Sequence, residues 1–210
     1  MTISWYGEAC FLLESSGIRV LIEPPQKESG LVPPRLKSDI LIYSAPRGNK
    51  TLSGESIDNT FVIDSPGEYE VKNINISGIG DDENIIYAIE MDDVKMIHFG
   101  FLKKEPNNEK LEIIGEPDIV FAPVGGLPAG KQDLKDELFD AEAAMKLINK
   151  MEPKIAIPML YDIKELKTKR APLSLFLKES EAKDAPVPKL IIKKKDLIEE
   201  ETKIVILEKV

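Results

Sequence analysis

Short apolar runs alternate with polar punctuation along the first hundred residues, and the spacing is that of strands. Residues 3–6 and 10–13 flank a turn at Gly7-Glu8, and Ser15-Ser16-Gly17 turns the chain into residues 18–22, which stop at Pro24-Pro25. Residues 26–38 carry Gly30, Pro33 and Pro34 without any period and read as a loop. Ile40-Leu41-Ile42-Tyr43 is a run of β-formers that breaks at Pro46 and Gly48, leaving a polar loop at the carboxyl end of a buried strand. Residues 61–64 and the turn Ser65-Pro66-Gly67 follow. Two alternating strands, 71–76 and 85–91, are expected on either side of a turn at Gly78-Ile79-Gly80-Asp81-Asp82, and residues 94–99 close this half.

The period then changes. Residues 108–114 suit a short helix with Leu111 and Ile114 inward, and Ile119-Val120-Phe121-Ala122 is a buried strand running into Pro123-Val124-Gly125-Gly126. Asp140 is placed to cap a helix in which Ala141, Ala144, Met145 and Ile148 recur on one face, ending before Pro153. Ile155-Ala156-Ile157 is a strand, Pro172 opens a helix with Leu173, Phe176 and Leu177 inward, and residues 203–208 form a last strand. Strands come early and strand–helix units late. That predicts an α+β fold of two sheets covered by helices, with no internal repeat and no linker, hence a single domain over residues 1–210.

Composition narrows the function classes. With 42% hydrophobic and 31% charged residues, the 210-residue chain belongs with folded globular proteins rather than disordered ones. No apolar run approaches the roughly 18–20 residues of a membrane helix, and the first 14 residues lack the basic start of a signal peptide, so a cytoplasmic location is expected. The net charge of −9 argues against nucleic-acid backbones and anionic membranes as partners. Lys193-Lys194-Lys195 is answered by Glu199, Glu200 and Glu201 and reads as a solvated face. The single cysteine, Cys10, beside Phe11, reads as a small buried hydrophobe.

The words Ile3-Ser4-Trp5-Tyr6-Gly7, Ser65-Pro66-Gly67-Glu68-Tyr69-Glu70-Val71, His98-Phe99-Gly100, Ala122-Pro123-Val124-Gly125-Gly126, Asp140-Ala141-Glu142-Ala143-Ala144 and Pro153-Lys154-Ile155-Ala156-Ile157-Pro158-Met159 occur in one order. In them the chain resembles the metallo-β-lactamase-fold hydrolases, within the branch that includes L-ascorbate-6-phosphate lactonase-like proteins. The resemblance implies a four-layer αβ/βα sandwich with zinc or manganese along one edge of the sheets. It places the ligand loop on Ala45, Arg47, Asn49 and Lys50, the aspartate of a Gly-Asp pair on Phe101, and the final histidine on Leu160. A further histidine would fall near Gly80-Asp81, where the chain has none. His98 matches a residue that is not itself a ligand.

Zinc wants three or four imidazole, thiolate or carboxylate donors at about 2.0–2.3 Å. Alanine, phenylalanine and leucine donate nothing, and a guanidinium or ammonium stays protonated at neutral pH and repels a divalent ion. The expectation is therefore a scaffold with no metal cofactor and no catalytic residues, acting as a binding or interaction module. Its ligand-facing positions would be Ala45, Arg47, Asn49, Lys50, Phe101 and Leu160, with His98 and Tyr161 behind them. Arg47 and Lys50 either pair with Asp64, Glu68 or Glu70, leave a pocket for a small anion, or are ordinary surface charges. Assembly with further copies is compatible with the resemblance. Two other readings stand beside this one. A metal-dependent hydrolase would have to recruit carboxylates from Asp64, Glu68, Glu70, Asp81 and Asp82. A metal-free enzyme would use Arg47, Lys50 and His98 on an anionic substrate. Plainer readings hold for the rest: His98 as a satisfied, partly buried imidazole, Ser44 as a hydroxyl with no partner base, and Gly125-Gly126 as a strand-to-loop turn.

Overall fold

The structure is a computed structural model and describes residues 1–45, 56–57, 59–81, 83–127, 138–198 and 201–210. The strands are β1 (Thr2–Trp5), β2 (Phe11–Ser15), β3 (Ile18–Ile22), β4 (Ile40–Ile42), β5 (Ser56–Ile57), β6 (Thr60–Ile63), β7 (Gly67–Val71), β8 (Ile74–Asp81), β9 (Asn84–Met91), β10 (Val94–His98), β11 (Ile119–Pro123), β12 (Ile155–Met159), β13 (Leu190–Ile191) and β14 (Lys203–Ile204). The helices are α1 (Asn108–Ile114), α2 (Ala141–Met151) and α3 (Leu173–Ser180). Among the described residues the strands form two mixed sheets, ordered β13-β1-β2-β3-β4-β6-β5 and β14-β12-β11-β10-β9-β8-β7. This is the α+β sandwich the sequence predicts.

Alternation along the first sheet explains why it has two faces. Ile3, Trp5, Phe11, Leu13, Val20, Ile22, Ile40 and Ile42 point into one core shared with Ile86, Ile97, Phe99, Phe121 and Ile157 of the second sheet. Cys10, Leu12 and Leu21 point the other way, against Tyr6, Leu36 and Leu41. Phe11 and Phe121 meet across the sandwich with ring centroids 4.4 Å apart. Each large apolar side chain so buried contributes roughly 1.5–3 kcal/mol. Helix α2 starts where Asp140 accepts a 2.9 Å hydrogen bond from the Ala143 amide and ends at Glu152, with Ala141, Ala144, Leu147, Ile148 and Met151 buried. Among the described residues no helix is long and apolar enough to cross a membrane.

One expected boundary is corrected. The chain turns at Lys72 and Asn73, both at positive φ (54° and 62°), and β8 then runs straight through Gly78 and Gly80 to Asp81, pairing with β9. The glycines looked like a turn, yet Gly78 is demanded by packing: a Cβ there would lie 2.8 Å from the Tyr87 ring. The last strand is also shorter than expected. After Ile204 the chain continues as isolated bridges, Val187 to Leu207 and Trp5 to Lys209.

Candidate functional site

Strands β1, β3 and β4 run parallel to one another in the first sheet, and β10, β11 and β12 do so in the second. Their carboxyl ends meet at one edge of the sandwich. The Ile85 amide donates to the Ser44 carbonyl at 2.7 Å and the Leu160 amide to the Glu8 carbonyl at 3.4 Å, which joins the two sheets there. Strand carboxyl ends are where such sandwiches can gather polar loops.

Ala45 and Phe101 are brought together. Both line two neighbouring clefts, one of about 440 Å³ with Glu8, Glu23, Gln26, Glu28 and Thr168, the other of about 500 Å³ with Asp81, Glu83, Asn84 and Lys103. Leu160, expected to face the ligand, lines neither cleft: it is fully buried in the core, with its backbone at φ 62°. Tyr161 is also buried, tilted against Trp5 at a centroid distance of 5.0 Å, and burial raises its phenol pKa above the usual value. Arg47, Asn49 and Lys50 lie outside the described residues, and so does Asp82.

His98 is fully rather than partly buried. Its Nε2 contacts the Ala9 carbonyl at 3.0 Å and its Nδ1 accepts from the Gly100 amide at 3.2 Å. Burial pushes its pKa down to about 4, offset only in part by the bond to Ala9. A ring this enclosed is a structural imidazole. The backbone after it is clamped further by Asn84, whose Nδ2 donates to the Phe99 carbonyl at 2.9 Å and whose Oδ1 accepts from the Phe101 amide at 2.9 Å. Gly100 sits at φ 60° with Asn84 and Ser44 where a Cβ would go, so only glycine fits.

Charged groups at this edge are buried more deeply than the sequence suggests. Glu8 and Arg170 form a two-pronged pair, Nε to Oε1 and a terminal guanidinium nitrogen to Oε2, both at 3.2 Å, with side chains only 10% and 8% exposed. Glu23 accepts a short hydrogen bond from the Ser44 amide. Asp81 holds Lys110 at 2.6 Å. The Ser44 hydroxyl is buried without a hydrogen-bond partner among the described residues. Sequence reasoning passed over Glu8, Glu23, Asn84 and Arg170. Glu23 had a local signal, a carboxylate abutting the apolar run that ends at Ile22; Arg170 had none, being 162 residues from its partner.

Among the described residues, what is present does not fit the zinc or manganese that the resemblance implies. The donor positions that fall on Ala45, Phe101 and Leu160 offer hydrocarbon. Among the described residues no group of three His, Cys, Asp or Glu side chains converges to hold a metal ion. The described carboxylates at this edge do not converge to replace them: Glu8 is paired with Arg170, Glu23 accepts from the Ser44 amide and Asp81 is engaged by Lys110, while Glu68 lines a separate groove with Ile113 and Lys95.

A family model described as the Beta-lactamase superfamily domain matches residues 2–160. Among solved structures, a candidate Zn-dependent hydrolase of the metallo-β-lactamase superfamily from Thermotoga maritima is 28% identical with a TM-score of 0.77, covering 99% of this chain and 98% of its own. Igni18, a metallo hydrolase from Ignicoccus hospitalis, is 16% identical with a TM-score of 0.58, covering 97% and 94%. The isothiocyanate hydrolase from Delia radicum gut bacteria is 11% identical with a TM-score of 0.62, covering 100% and 97%. At these lower identities the likeness is one of fold alone. The comparison with curated proteins gave no match.

Proposed function

The chain belongs to the Beta-lactamase superfamily domain family, and from that premise we propose that it is a metal-free, non-catalytic binding module whose ligand seats against Ala45 and Phe101. One observation carries this reading: Ala45, Phe101 and Leu160, at positions the resemblance assigns to metal ligands, have side chains with no donor atom. The L-ascorbate-6-phosphate lactonase-like branch and a cytoplasmic location are part of the same proposal. So is the choice of ligand, a small anion held by Arg47 and Lys50, with assembly of several copies compatible with it.

A second reading has one observation in its favour, the 28% identity to a candidate Zn-dependent hydrolase. It would need carboxylate ligands drawn from Asp64, Glu68, Glu70, Asp81 or Asp82. Assay of the purified chain with added Zn²⁺ or Mn²⁺ on phosphodiester and lactone substrates separates the two. The binding-module reading expects no turnover, together with shifts of the Ala45 and Phe101 amide resonances on titration with inorganic phosphate. Metal-dependent turnover would overturn it, and unshifted amides would remove the anion.

A further inference from the structure

We propose that His98 is the positioning residue of this cleft: its ring ties the turn at residues 7–10 to the turn at residues 99–101, and the cleft keeps its shape only while the ring carries a single proton, on Nε2. A carbonyl can only accept, so the 3.0 Å contact with Ala9 makes Nε2 the donor. An amide N–H can only donate, so the 3.2 Å contact from Gly100 makes Nδ1 the acceptor. A second proton would set N–H against N–H and break the link to Gly100. Ala9 adjoins Glu8, and Gly100 adjoins Phe101; both of those neighbours line the cleft. Gly100 is wedged against Ser44 and Asn84, so its amide cannot swing to another acceptor without moving Phe101.

Among the described residues, the bond to Ala9 is the one contact that favours the charged form, and burial outweighs it. Phe11 on β2 and Phe121 on β11 face it at centroid distances of 5.9 and 5.7 Å. Tyr87, opposite it across the β9–β10 ladder, donates its hydroxyl to the Tyr43 carbonyl and is held protonated by burial. On the adjoining turn, the Glu8 carboxylate is engaged by Arg170. The depressed pKa, about 4, agrees with this geometry.

The inference rests on the reading of this cleft as the binding site, but its test needs no ligand. The chain has one histidine and one tryptophan, and the Trp5 indole donates to the Glu8 carbonyl at 2.9 Å, so tryptophan emission reports the first turn. Nitrogen NMR of the histidine ring, tryptophan emission and far-UV ellipticity are followed together from neutral pH down to about 3.5. The expected result is an Nε2–H tautomer at neutral pH. Ring protonation near 4, a shift of the Phe101 amide and an emission change then come in one step, before ellipticity is lost. In His98→Gln, whose amide offers a donor and an acceptor but does not titrate, the step vanishes while neutral-pH emission is kept. An Nδ1–H tautomer, protonation near 6.5, loss of ellipticity in the same step, or an unchanged step in His98→Gln would each overturn the proposal. The tautomer is read on the wild-type chain, so the test survives a variant that does not fold. Bound metal would defeat the cleft reading and leave the tautomer result standing.

Discussion

Two polar regions of the sandwich are built on opposite terms. The larger is an open groove of about 750 Å³ lined by Met1, Glu14, Arg19, Lys37, Asp39 and neighbours on β1 to β3. There Arg19 and Glu14 pair in solvent, with side chains 47% and 37% exposed. The strand-end edge around Ala45 and Phe101 has smaller clefts with exposed rims at Glu28 and Glu83, but beneath them Glu8, Arg170, Glu23 and Asn84 have buried polar groups tied to backbone or to each other. On the proposed reading, enclosure rather than size distinguishes the candidate site. A solvated pair can be lost cheaply, whereas a buried one fixes the chain around it.

The sharpest way to break this contrast is to remove one charge from each region. Arg170→Met should leave the Glu8 carboxylate buried and alone, costing about 3–5 kcal/mol in urea unfolding. Acid should separate the regions next. The His98 pKa falls on folding from 6.5 to about 4, so the unfolded chain takes up the proton first. The stability that depends on a neutral His98 is fully present above pH 6.5 and is lost as pH falls toward 4, by about 3 kcal/mol. His98→Gln should be flat across that window. In the groove, the Asp39 carboxyl is held below its usual 3.8 by the hydrogen bond from Lys72, and its contribution is lost only below that value. Denaturant midpoints of both proteins at a series of pH values test the difference. Asn84→Ala should cost about 1–3 kcal/mol by stranding the Phe99 carbonyl and the Phe101 amide, with faster hydrogen exchange at Phe101. Smallest of all, Arg19→Ala should change stability by less than about 1 kcal/mol, since its partner stays in water.

Most of the strands were legible because period-2 alternation is a local property. Asp140 likewise announced the start of α2 through its own cap. The Gly78–Gly80 stretch misled because a glycine needed for the Tyr87 ring looks, in sequence, like one needed for a turn. At the candidate site, it was the resemblance and no local pattern that singled out Ala45 and Phe101, which the fold places on the wall of the same clefts. The Glu8–Arg170 pair could not be read at all. It depends on the crossing of segments far apart in the chain, and no local pattern encodes that. The depth of His98 was underread for the same reason: Phe11 and Phe121, which enclose it, come from two different sheets.

The most direct measurement is the zinc and manganese content of the chain purified without chelator. An edge with hydrocarbon at Ala45, Phe101 and Leu160, and with no converging group of donors among the described residues, predicts far less than one ion per chain and no uptake after dialysis against either metal. One or two tightly held ions per chain, lost on mutating carboxylates at this edge, would contradict it.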